Sequence, residues 1–190
     1  MAIQASNVRL SFSGTKALPT TDTAFTRYTI FKKTFGEDGS IMVLGVQSPN
    51  FWQKETFNAW RDLTTDIQKL HGIKQVLSLS NLMELKKDTI NQKFLLQPVI
   101  KADVSSATAM DSIKNVLYGL RFYEGLVFNS KTNTSLMAIT FDGNILNSSQ
   151  RIPVINSILE KSKAFSKTKN LTIHYSGLPY IRTIISKRVS

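Results

Sequence analysis

Ile41-Met42-Val43-Leu44-Gly45-Val46 carries no charged or hydroxyl side chain, so it lacks the alternation of a strand with one wet side. A short apolar run with β-branched residues is the pattern of a strand buried on both faces, in the middle of a sheet. Gly39-Ser40 leads into it, and Ser48-Pro49-Asn50 stops it and offers a cap for the helix that follows. In that helix Thr56 with Phe57, then Trp60, Leu63, Ile67 and Leu70 recur at helical spacing, and His71-Gly72 closes it. Ile73 to Leu79 reads as a second strand. Strand, helix and strand are complete in about forty residues.

The same unit recurs from Leu136 to Ser176. A strand ends at Phe141, Asp142-Gly143-Asn144 makes the link, and a helix runs from about Ser148 with Ile152, Ile155, Ile158, Leu159 and Phe165 on its apolar side. Pro153 falls in its first turns, where a missing amide costs least. In the closing strand Leu171, Ile173 and Tyr175 alternate with Thr172, His174 and Ser176, until Gly177 and Pro179 break the period. Upstream, Gly125–Phe128 and Leu136–Phe141 flank the polar stretch Asn129–Thr134 as a hairpin. Two such units predict an α+β fold of ferredoxin-like type: a four-stranded antiparallel sheet with both helices on one face.

Additional helices surround that core. Pro19-Thr20-Thr21-Asp22 starts one whose face is Ala24, Tyr28, Phe31 and Phe35, ending at Gly36. Ser105-Ser106 opens another, with Ala109, Ile113, Val116, Leu117 and Leu120 on one side. Residues 82–100 mix charged and apolar side chains as far as Pro98 and read as connecting segments with one short helix. The chain thus divides as one domain over 1–190: a leading arm and helix (1–38), the first unit (39–80), a connecting helical segment (81–123), the hairpin and second unit (124–177), and an exit (178–190) with no packed element left to join.

Twenty-four Lys+Arg against 13 Asp+Glu give a net charge of +11. Such a charge fits nucleic acid or anionic lipid, or simply a solvated basic surface. Its scatter, in pairs such as Lys32-Lys33 and Lys86-Lys87, favours the last. The absence of cysteine excludes disulfides and thiolate chemistry. No apolar run approaches the roughly 20 residues of a membrane span. His71 and His174 have no carboxylate at ligand spacing, and Glu37-Asp38 with Gly39 makes a poor cation loop. No phosphate loop, nucleophile elbow or zinc-protease motif occurs. The expectation is no catalytic residue, no metal and no cofactor. Asn133, Asn147 and Asn170 open glycosylation triplets that chance explains in a chain rich in Asn, Ser and Thr. Trp52 and Trp60 belong to the core, with Trp52 able to line a lipid-accepting groove if it is partly exposed.

The run Phe31-Lys32-Lys33-Thr34-Phe35-Gly36-Glu37-Asp38-Gly39-Ser40, continuing through Val46, resembles the start of the extracytoplasmic loop of RND-superfamily exporters. The similar branch is the MMPL type, exporters of lipids or hydrophobes in Bacteroidetes-like bacteria. Leu18-Pro19, the step Leu70-His71-Gly72-Ile73-Lys74-Gln75-Val76-Leu77-Ser78 and the closing Tyr175-Ser176-Gly177-Leu178-Pro179 resemble that family's motifs in the same order. The resemblance spans about residues 8 to 185 and implies a periplasmic porter domain at the bacterial inner membrane, passing a hydrophobic or amphiphilic substrate. Its partners would be transmembrane helices of the same parent chain, with a homo-oligomer possible in the parent and no nucleic acid. The family's proton relay lies in membrane helices that this stretch lacks, so no residue takes that role here. Gly72, Gly177 and Pro179 are the family-motif positions, structural in character, and Gly36, Gly72 and Gly177 are the hinges a porter would use. The alternative is a basic, ferredoxin-like nucleic-acid-binding domain, which needs exposed aromatics on the open sheet face.

Overall fold

The computed structural model describes Thr23, Arg27 and residues 39–89, 91–101 and 103–189. Strand β1 (Ile41–Gln47) is central, as expected, but it is not buried on both faces: Met42, Leu44 and Val46 are covered, while on the other side Ile41 is exposed and Val43 half-buried. The 3-10 turn Pro49–Trp52 and helix α1 (Lys54–Gln68) lead from it to β2 (Ile73–Ser78). Next come β3 (Met83–Asp88), β4 (Lys93–Pro98), α2 (Ala107–Gly119) and the short β5 (Phe128–Asn129). The second unit is β6 (Thr134–Phe141), the single turn α3 (Gly143–Leu146), α4 (Arg151–Lys169) and β7 (Ile173–Ser176), with α5 (Leu178–Val189) after it.

The main sheet runs in the order β2-β6-β1-β7, antiparallel at every pairing, and β5 adds to β6. The two units interlock: β6 of the second lies between the strands of the first, and β1 of the first lies between the strands of the second. Register places Met42 beside Ile139, Leu44 beside Met137, and Val46 between Ser135 and Ile173. These side chains form one buried face. Helix α1 sets Phe57, Trp60, Leu63 and Ile67 on it, and α4 sets Ile155, Ile158, Leu159 and Phe165. The two helices meet where the rings of Trp60 and Phe165 lie edge to face at 5.4 Å. Burying each such side chain contributes about 1.5–3 kcal/mol. The indole of Trp60 keeps its polar tip satisfied by donating to Ser78 Oγ at 2.9 Å, while the Thr64 hydroxyl donates to the Trp60 carbonyl at 2.8 Å.

Three further expectations need correction. Residues 82–100 hold a β-hairpin, β3 with β4, rather than connecting segments with a short helix. Pairing of Leu85 with Leu96 and Lys87 with Phe94 collects Leu85, Phe94 and Leu96 on one face, a grouping that only the register reveals. Asp88 closes the turn by accepting from the Asn91 backbone and side-chain amides at 3.1 and 2.7 Å. On α2 and at its end the expected Ala109, Ile113, Leu117 and Leu120 pack against the core, joined by buried Met110, but Val116 is exposed rather than packed. Tyr118 of the same helix stacks on Phe128 at 5.4 Å.

Residues beyond Gly177 also join a packed element. Helix α5 lies along α4 and the β1–β7 side of the sheet. Thr183 is fully buried and donates its hydroxyl to the Pro179 carbonyl, Tyr180 stacks on Tyr175 at 5.4 Å, and Lys187 donates to Asn156 Oδ1 at 2.6 Å. The anticipated helix at 22–35, the arm before it, Gly36 and the Glu37-Asp38 turn lie outside the described residues, apart from Thr23 and Arg27, which are helical. No helix among the described residues is long and apolar enough to cross a membrane.

Gly177 makes the turn into α5 with φ of +104°, and a Cβ there would collide with the backbone carbonyl of Ile41. Gly177→Ala therefore costs about 2 kcal/mol or more, from left-handed strain plus displacement of a central strand. Gly119 ends α2 with nothing within 4 Å of a built Cβ. Gly119→Ala is neutral or stabilises by up to about 1 kcal/mol. Urea midpoints at unchanged slope separate the two variants; equal midpoints would remove the steric reading of Gly177.

Candidate functional site

The end of β1 leads to a surface cleft of mixed chemistry. Ser48 Oγ accepts the Asn50 amide at 3.1 Å, and Pro49 opens the 3-10 turn. The turn sends Phe51 inward, edge-on to Trp60 at 5.5 Å and to Phe57 at 5.9 Å. Trp52 comes next and is left half-buried at the surface, stacked on Phe57 at 6.0 Å and edge-on to Tyr118 of α2 at 5.3 Å. The Lys114 ammonium sits 5.5 Å from the Trp52 ring centre and 5.6 Å from that of Tyr118, within cation–π range of both.

Beside this cluster opens a cleft of about 360 Å³ lined by Trp52, Gln53, Lys54, Glu55, Ala107, Met110 and Asp111. The beginnings of α1 and α2 frame it. Its two walls are held together next door: the Asn58 side chain donates to the Val104 carbonyl and accepts from the Val104 amide, both at 3.0 Å. Arg61 adds an ion pair to Asp103 at 2.8 Å. Gln53 gives α1 no side-chain cap, and Glu55 supplies the first-turn negative charge instead. A backbone hydrogen bond, with Lys54 at 3.4 Å, holds the Glu55 carboxyl below its ordinary pKa. Burial raises the pKa of Tyr118, opposed by its contact with Trp52.

Chemically the cleft offers an indole and Met110 alongside exposed Glu55 and Asp111. Its lining thus joins an apolar part to a charged part, the combination that an amphiphile presents in mirror image. Among the described residues no group of three or more His, Asp or Glu could hold a metal, and His71 and His174 are exposed.

The family-motif residues lie elsewhere. Gly72, with φ of +88°, turns the chain into β2, and its carbonyl accepts the Asp142 amide at 2.9 Å. The pairings of Ile73 with Phe141 and Val43 with Ser176 place Gly72 and Gly177 at one end of the sheet. Trp52 is at the other. Pro179 is the second residue of α5. The structure gathers none of these three with the cleft, and both glycines sit in tight turns, where a Cβ would strike Ile145 or Ile41.

Trp52 was legible as a groove residue; Met110 and Asp111, which line the cleft, and Lys114 and Tyr118, which meet Trp52 beside it, were not, because only the tertiary packing of α2 brings them there. Arg151 was also missed. It is almost fully buried at the start of α4, donating to the Leu146 carbonyl at 3.1 Å. Burial, then the nearby Arg182 cation, lowers its pKa. No family model and no curated protein matches the chain.

A raised Tyr118 pKa means that the folded state favours the neutral phenol. Its contribution is fully present below the unfolded tyrosine value of about 10 and is lost as pH rises through the higher folded value. Tyr118→Phe should flatten the alkaline fall in stability above about pH 10 relative to the parent chain. Denaturation midpoints across that window check it, and parallel curves would count against the burial account.

Proposed function

We propose that the chain is an extracytoplasmic porter-type domain of an RND-superfamily, MMPL-like exporter, a substrate-handling module without catalysis of its own. The observation that carries this reading is the interlocked sheet order, β2-β6-β1-β7, with α1 and α4 on one face. That order is what two strand-helix-strand units produce in a ferredoxin-like arrangement. The motif order Gly72, Gly177, Pro179 supports it, since the first two sit at positive-φ turns that end or begin elements of the two units. In this reading the domain stands on the periplasmic side of the inner membrane, joined to membrane helices of its parent. The Trp52 cleft takes the apolar part of a hydrophobic or amphiphilic substrate, and Glu55 and Asp111 face its polar part.

The second reading, nucleic-acid binding, draws on the +11 charge. Against it stands the open sheet face. Among the described residues register puts Val43, Gln47, Leu77, Thr134, Leu136, Ala138, Thr140 and His174 there, with no Phe, Tyr or Trp for a base to stack on.

The neutral fluorophore N-phenylnaphthylamine should bind the chain, and Trp52→Ala should weaken binding about tenfold or more while the far-UV spectrum holds. Single-stranded RNA at low salt should not bind. Unchanged fluorophore affinity in Trp52→Ala would remove the cleft from the reading, and tight, salt-sensitive RNA binding would install the alternative. A parent reading frame without apolar spans flanking this stretch would end the exporter reading.

A further inference from the structure

We infer that the outward face of α5 is a contact surface for an anionic lipid bilayer. The helix packs by its inner side: Thr183 is fully buried, Tyr180 stacks on Tyr175 and Lys187 reaches Asn156 of α4. On the other side Leu178, Ile181 and Ile185 recur at helical spacing and remain 43%, 45% and 56% exposed. Ile41, also exposed, extends the stripe, because Leu178 packs against Gly39 just ahead of β1.

Charge selects the occupant. Helix α5 carries the cations Arg182 and Lys187 and no carboxylate. A short helix with an apolar outer stripe and only cationic charge is the pattern of an interfacial helix, which buries its stripe at the headgroup boundary and gains from anionic lipid. Low net hydrophobicity fits lying on a bilayer rather than crossing it, and no described helix could cross. The net charge of +11 adds long-range attraction of the same sign.

The hairpin of β3 and β4 also exposes apolar side chains, Leu85, Phe94 and Leu96. Its charges are mixed, Lys86, Lys87 and Lys93 against Glu84 and Asp88, so they name no partner. The inference concerns α5 alone and does not depend on the exporter reading or on the Trp52 cleft.

The chain has no cysteine, so a single Ile185→Cys variant accepts an environment-sensitive NBD label at one place. With vesicles of phosphatidylcholine and phosphatidylglycerol, the label at 185 should brighten and shift to the blue, and a label at Phe94→Cys should not. Cosedimentation should fall about tenfold or more in Ile181→Glu/Ile185→Glu, with an unchanged circular dichroism spectrum, and should stay intact in Leu85→Glu/Phe94→Glu. Pure phosphatidylcholine should bind far less. Three results would each overturn the inference: an aqueous label at 185 on bound protein, vesicle binding that survives the α5 substitutions, or self-association that buries the label without lipid. Vesicle binding with no flanking spans in the parent would leave this inference standing while removing the exporter reading.

Discussion

Everything in the fold depends on β1 being paired on both sides by strands of the other unit. Its neighbours are β6 and β7, so the first strand-helix-strand unit has no sheet of its own to bury Met42, Leu44 and Val46. The reverse holds for β6, which needs β1 and β2. Neither unit closes its backbone hydrogen bonds or its core without the other, and unpaired buried amides and carbonyls are costly. The fold is therefore a single cooperative body despite its twofold sequence pattern, and both helices must meet on one face, where Trp60 touches Phe165.

That interlocking also decides where binding chemistry can sit. The end of the sheet with Gly72 and Gly177 is tight, with glycines pressed against Ile145 and Ile41. At the opposite end β1 leaves the sheet through the Pro49–Trp52 turn, and α2 crosses close enough for Tyr118 and Lys114 to meet Trp52. The aromatic chain from Trp60 through Phe51 and Trp52 to Tyr118 and Phe128 couples the core of the first unit to the strand that begins the hairpin of the second.

The electrostatics separate into two regions of different character. Around the cleft, charges of both signs are close: Lys54 with Glu55, and Asp111 one helical turn from Lys114. On α5 the charge is of one sign beside an apolar stripe. The first suits a zwitterionic or amphiphilic small molecule, the second an extended anionic surface.

Much of this was legible in the residues. The unbroken apolar run at 41–46, helical spacing from Phe57 to Ile67 and from Ile155 to Phe165, and alternation at Leu171–Ser176 determined strands and helices directly, because side-chain period and backbone period are tied. Two units of that kind also determined an antiparallel α+β sheet. Residues 83–98 were illegible as a hairpin because their apolar face shows only when Leu85 is set beside Leu96 across the turn. The exposure of Val116 on α2, the burial of Arg151 and the docking of α5 were likewise decided in three dimensions. For α5 the contacts are with segments distant in the chain, as in Lys187 with Asn156. The sequence by itself determined what each segment could be; only the tertiary structure decided which faces meet, because long-range contacts select among helix rotations and strand registers that local pattern leaves equal.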